Sequence, residues 1–168
     1  MTTLTFDQST DPSTDQGLTG GAPQWSTVQA TGYWEGALTA SLRARDFEFR
    51  SSEPESFGGK DDAPNPMELL LGAVNGCVTV VVEVVAEELG VEITSIETDT
   101  SGRLDLRGFA GVPDVSPAFQ EIVVRIVVGT DADDATFAEL QRRTTARCPA
   151  LALLAQTDVD VREEWTRA

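Results

Sequence analysis

The 168-residue sequence has no histidine, which excludes Ser-His-Asp hydrolysis, Cys-His acyl transfer and histidine-ligated metal sites within one chain. Basic residues are also scarce, 12 against 28 acidic ones for a formal net charge of -16. Nucleic acid is therefore an unsuitable partner, because phosphate binding needs clustered Lys and Arg, and an anionic membrane surface would repel the chain. Lys60 is the sole lysine; the other basic residues are arginines. An acidic, lysine-poor surface suits a high-salt cytosol, where the Debye length falls to about 3 Å at 1 M, and equally suits a GC-rich genome. Both concern solubility and habitat.

Cysteine is limited to Cys77 and Cys148, too few for a secreted disulfide scaffold or a zinc site. The N-terminus lacks the basic and apolar regions of a signal peptide, so a cytoplasmic location is expected. Long uninterrupted apolar runs are missing too. The most apolar stretch, Leu69 to Ala86, contains Asn75, Thr79 and Glu83. It reads as a buried helix and not as a membrane span, which takes roughly 18 or more apolar residues. No metal or cofactor is implied.

What the chain does have is 40% apolar content, enough for one domain with a hydrophobic core. Residues 1–30 are rich in Thr, Ser, Asp, Gly and Gln, the composition of a mobile arm, and residues 31–168 form the expected domain. From Thr31 to Arg50 the alternation of Leu38, Ala40 and Leu42 with Thr39, Ser41 and Arg43 predicts two antiparallel strands, with Arg50 in the turn that follows. S51-S-E-P-E-S-F-G-G-K-D-D-A-P is a loop. Asn65-Pro66 starts a helix that Gly90 ends. That helix is apolar nearly all round, so a wrapped sheet or a second subunit must cover it. Strands are expected from Val91 through Leu106 and at Gln120–Thr130, then a helix from Asp131 to Arg147 whose charges follow the helix dipole. A short helix at Ala150–Ala155 and a strand at Val159–Trp165 complete an α+β domain with a largely antiparallel sheet. Trp25, Trp34 and Trp165 read as packing anchors or subunit contacts, and the Gly-Gly pairs as turns.

The cysteines carry the chemistry. Free cysteine inside a Val- and Leu-rich helix is ordinarily a packing residue. Cys148 stands before Pro149, a cap position where backbone N–H groups favour a thiolate. An aliphatic setting keeps a thiol protonated and inert unless a cation lies beside it, so a reactive Cys77 requires one.

The segments P64-N-P-M-E-L-L-L-G-A-V-N-G-C77, then E-E-L-G-V, E-I-V-V-R-I-V-V and R147-C-P-A-L-A-L-L, resemble the OsmC/Ohr family of osmotically inducible and organic hydroperoxide resistance proteins. Y-W-E-G and F-G-G-K-D-D-A-P-N-P resemble its first strands and the loop before its long helix, so the likeness spans about Thr31 to Trp165. It implies an OsmC-like fold: curved, largely antiparallel sheets around a long central helix in an intertwined homodimer. It also implies thiol peroxidase chemistry in which Cys77 attacks an organic hydroperoxide and becomes a sulfenic acid, Cys148 condenses with it to a disulfide, and a dithiol such as a lipoyl group restores both. Family hydroperoxide reductases place Glu directly after N-P to hold a catalytic arginine. Here Met67 takes that place and Glu68 follows, a rotation of about 100° on the helix. Glu68, Arg43, Arg45 and Lys60 are the candidate supporting residues. The alternative reading is a non-catalytic OsmC-like stress protein that binds a small apolar ligand.

Overall fold

The computed structural model describes residues 22–168. Of the expected arm, residues 1–21 lie outside that range, and residues 22–30 run without helix or strand, with Trp25 and Val28 exposed. The first sheet is a meander of β1 (Thr31–Gly36), β2 (Thr39–Ala44) and β3 (Phe47–Ser52). Three strands thus stand where alternation suggested two. Of the two reversals, the first runs through Gly36, Ala37 and Leu38 at φ 86°, 47° and 52°, and the second through Arg45 at φ 55°, where Gly or Asn is usual. Arg50 consequently sits on β3, opposite Ser41, and not in a turn.

The long helix α1 (Pro66–Leu89) has the expected ends. Asn65 Oδ1 accepts the N–H groups of Met67 and Glu68, both at 2.9 Å, and Glu68 Oε2 accepts the Asn65 N–H at 2.8 Å; this reciprocal cap satisfies donors that a helix start leaves free. At the other end Gly90 is left-handed, φ 66°, and the N–H groups of Gly90 and Val91 bond Glu87 and Ala86 carbonyls. That closure consumes the Val91 N–H, so β4 begins at Ser95 rather than at Val91. Val91 and Ile93 still pack against the core.

The second sheet has the order β4 (Ser95–Leu104), β5 (Phe119–Gly129), β6 (Asp160–Arg167), with β4–β5 antiparallel and β5–β6 parallel. The strand pairing is largely antiparallel, as expected, with β5–β6 the parallel pair. That pair is made possible by the crossover through α3 (Asp134–Arg147) and α4 (Pro149–Leu154), since parallel neighbours need a connection long enough to return to the same edge. A single turn of helix, α2 (Leu106–Phe109), bridges β4 and β5. Asp133 caps α3 by accepting the Thr136 N–H at 2.7 Å, which accounts for the acidic cluster at its start.

The core lies between α1 and this sheet. Val74, Val78, Val82 and Val85, recurring every three or four residues, meet Ile122, Val124, Ile126 and Val128 on one face of β5, with Leu140 from α3 and Leu151 from α4 closing the sides. Trp165 anchors β6 edge-on against Phe137, centroids 6.4 Å apart. By length and composition α1 could cross a membrane, despite Asn75, Thr79 and Glu83. Here it is a packed helix, with Thr100 donating to Asn75 Oδ1 at 2.6 Å.

The described residues cover α1 on one side only: 28% of its most apolar stretch is buried. Leu70, Ala73, Val80 and Val84 form an exposed stripe. The first sheet meets the helix chiefly through β3 and leaves Tyr33, Trp34, Phe47 and Phe49 exposed. Trp25 and Trp34 are exposed. Among the described residues, an apolar helix face and an aromatic sheet are therefore both without partners.

Candidate active site

The capped start of α1 places Cys77 about three turns into the helix. Its position is at the border of the buried stripe of Val74 and Val78 and the exposed stripe of Leu70, Ala73, Val80 and Val84, and the residue is half-buried. Cys148 is held differently. It ends α3, its N–H donating to the Thr144 carbonyl at 2.9 Å, and opens α4, its carbonyl accepting the Ala152 N–H at 2.9 Å. Pro149, with no N–H to give, forces the break between the two helices. Cys148 is fully buried.

The 71-residue separation in sequence closes to 3.3 Å between sulfurs, with the Cys148 thiol donating to Cys77 Sγ. Burial pushes the Cys148 pKa up, and the adjoining Cys77 sulfur adds to this, while the Leu151 and Ala150 N–H groups at the start of α4 oppose it. Cys148 is thus held towards its thiol form, and Cys77, half-exposed, is the one an outside molecule can touch. A disulfide, with its S–S bond of about 2.05 Å, requires the sulfurs to close by little more than an ångström. Side-chain rotation can supply that.

The supporting candidates make their hydrogen bonds and contacts with other groups. Glu68 is engaged in the α1 cap. Arg43 Nε donates to the Arg45 carbonyl at 2.7 Å and its guanidinium pairs with Asp46; Arg45 stacks over Phe47 at 4.9 Å. The Lys60 N–H donates to Ser52 Oγ at 3.2 Å. Arg50 is the most structured cation of the first sheet, bonded to Glu35 at 2.8 Å and Asp62 at 3.0 Å. Those bonds raise its pKa and lower that of Asp62. They tie β3 to β1 and to the loop before α1. Among the described residues, no Arg or Lys hydrogen-bonds either sulfur, and no cluster of His, Cys, Asp and Glu could hold a metal ion. Two shallow clefts among the described residues, one at Glu92, Thr94 and Asp131 and the other at Gln141, Arg142 and Trp165, include neither sulfur.

One residue near the site escaped sequence reasoning. Thr144, one turn before Cys148, is fully buried and its hydroxyl has no hydrogen-bond partner. Its signal was positional: a polar residue in the i, i+4, i+8 series Leu140, Thr144, Cys148, whose other members are apolar.

Comparison with known proteins agrees with this architecture. A search of curated protein sequences finds no match. Among solved structures, an OsmC-like protein from Mycoplasma pneumoniae superposes with a TM-score of 0.75 at 14% identity, covering 85% of this chain and 98% of that one. The organic hydroperoxide resistance protein OsmC from Legionella pneumophila gives 0.66 at 16% identity, with 86% and 99% covered. The organic hydroperoxide resistance protein OhrB of Bacillus subtilis gives 0.57 at 25% identity, with 84% and 98% covered. The family description "OsmC-like protein" matches residues 59–164, a span from the loop before α1 into β6 that contains both cysteines, and the chain accordingly belongs to the OsmC family.

Proposed function

We propose that the protein is a homodimeric, cytoplasmic thiol peroxidase that reduces organic hydroperoxides. The observation that carries this reading is the S–H···S contact of 3.3 Å between a buried Cys148 and a half-exposed Cys77. The Cys77 thiolate attacks the O–O bond of ROOH, releasing ROH after protonation and leaving a sulfenic acid. The Cys148 thiol then condenses with it, giving the disulfide and water. A dithiol returns both sulfurs to thiols and is itself oxidised. The stripe of Leu70, Val80 and Val84 beside Cys77 suits an alkyl or aryl hydroperoxide. A second copy, laid over that stripe, would enclose the pocket and bring a cation to Cys77 from its own first sheet, where Arg43, Arg45 and Arg50 lie.

One observation favours the second reading, a non-catalytic protein that binds an apolar ligand: no described cation bonds Cys77 within a single chain. The same experiment separates the two. Reduced protein is mixed with one equivalent of cumene hydroperoxide, and peroxide loss and intact mass are followed for the parent, Cys77→Ser and Cys148→Ser. The peroxidase gives rapid loss with a two-proton mass drop, no reaction in Cys77→Ser, and a sulfenic or overoxidised species in Cys148→Ser. Loss no faster than with free cysteine sinks the enzyme and leaves ligand binding.

A further inference from the structure

A buried hydroxyl without a partner is exceptional, since burial strips its water and nothing replaces it. Thr144 Oγ1 is the one such side-chain atom among the described residues. The other buried polar side chains, Thr39, Ser51 and Ser52, are on β2 and β3; Thr39 and Ser52 bond each other at 3.1 Å. Thr144 is alone in the core of α1, α3, α4 and the second sheet. One turn further along the helix stands Cys148. Cys148 keeps φ at -74° and bonds its N–H to the Thr144 carbonyl, so its Cβ stays where a helical residue would have it. On a helix, side chains at i and i+4 share a face and the later one leans back over the earlier.

We propose that Thr144 is a positioning residue for the redox cycle, its hydroxyl turning about χ1 to donate a hydrogen bond to Cys148 Sγ when that sulfur carries charge. The inference rests on the disulfide reading above. During re-reduction the incoming thiolate must attack Cys77 Sγ, because Cys148 is fully buried. A bond forms between the reductant sulfur and Cys77 Sγ, the Cys77–Cys148 bond breaks, and its electron pair departs on Cys148 Sγ. The second thiol of the dithiol then displaces Cys77 from the mixed disulfide, and the departing thiolates take up protons from the two reductant thiols. Burial makes Cys148 a reluctant thiolate, and a more basic leaving thiol departs more slowly. A donor that engages only when the charge develops accelerates the step, and it explains why the hydroxyl stands idle in the thiol state.

The test oxidises the parent, Thr144→Val, Thr144→Ala and Thr144→Ser with diamide, which makes the disulfide without any hydroperoxide, and verifies a two-proton mass loss. Re-reduction by excess dithiothreitol is then timed in a stopped-flow instrument, and the equilibrium potential of the couple is measured against a glutathione buffer. The expectation is that Thr144→Val and Thr144→Ala slow re-reduction by about tenfold, as for losing one hydrogen bond to a charged sulfur. Thr144→Ser is expected within about twofold of the parent, and the potential unchanged, because both end states hold an uncharged Cys148. Re-reduction of both hydroxyl-free variants at the parent rate overturns the proposal, as does a Thr144→Ser variant as slow as Thr144→Val. Should Thr144→Val not fold, Thr144→Ala and Thr144→Ser carry the comparison. Because diamide replaces the peroxide, the role of Thr144 is tested even in a protein inert to cumene hydroperoxide; failure of diamide to join the sulfurs overturns it.

Discussion

Substituting Val80 by Asp tests the uncovered face of α1. Val80 is 59% exposed in a single copy, and Leu70 and Val84 on the same stripe are each 42% exposed. If a second copy covers the stripe, the half of Val80 still in water is buried on association. Full burial of a valine contributes about 1.5–3 kcal/mol, so that half contributes about 1 kcal/mol. A twofold dimer counts it twice, about 2 kcal/mol, so truncation alone weakens the dimer roughly 30-fold. Asp goes further by placing two unpaired carboxylates in an apolar seam, several kcal/mol more, for a total loss of about three decades or greater in affinity. Sedimentation velocity at low micromolar concentration reads this directly. The parent is expected at twice the chain mass of 18.0 kDa, Val80→Asp at the chain mass, and Val112→Asp, which changes an exposed valine off the helix, at the parent value. A parent that sediments as a monomer refutes the reasoning. So does a Val80→Asp dimer with the parent's dissociation constant.

Three further outcomes are expected. Asn65→Ala removes the acceptor for two N–H groups of α1 and should cost about 1 kcal/mol, seen as a fall in Tm of about 2–4 °C by calorimetry. Glu68→Ala, which deletes the other half of the cap, should lower Tm slightly and leave hydroperoxide reduction within about threefold of the parent, because a cap bond contributes to stability rather than to chemistry; a hundredfold loss would show that Glu68 holds a cation. The raised pKa of Cys148 has a defined sign: the folded state favours the thiol, so its contribution to stability is complete below the unfolded thiol value of about 8.5 and is lost as pH rises through the higher folded one. Urea unfolding of the reduced parent should therefore show stability declining at alkaline pH, with the decline reduced in Cys148→Ala; identical slopes would contradict it.

The helices were legible because their signals are local. Asn65-Pro66 and Gly90 mark α1 by the backbone groups they satisfy, and Asp133 marks α3 in the same way. The first sheet was read less well, as two strands instead of three, because Ala37, Leu38 and Arg45 adopt positive φ without the residues that ordinarily do so. Their conformation is imposed by strand pairing, which no short window of sequence contains. The parallel placement of β6 beside β5 was hidden for a related reason, since alternation within a strand carries no information about its neighbour's direction. Among site residues, Cys77 and Cys148 could be singled out individually by their flanks. Arg43, Arg45, Lys60 and Glu68 could not be sorted, as a charged side chain's partner depends on distances across the fold. In the structure Glu68 is engaged in the α1 cap, Arg43 bonds the Arg45 carbonyl and Arg45 stacks on Phe47.

By itself, then, the sequence determined the helix that carries Cys77, the cap that carries Cys148, the exclusion of histidine chemistry and the need to cover an apolar α1. These follow from short-range hydrogen bonding, periodicity and residue type. Only the tertiary structure decided that the two sulfurs stand 3.3 Å apart, that Cys148 is the buried member of the pair, and that Thr144 lies unpartnered one turn away. Each of those depends on how α1, α3 and α4 cross, and the packing that sets those crossings is a sum over residues distant in the chain.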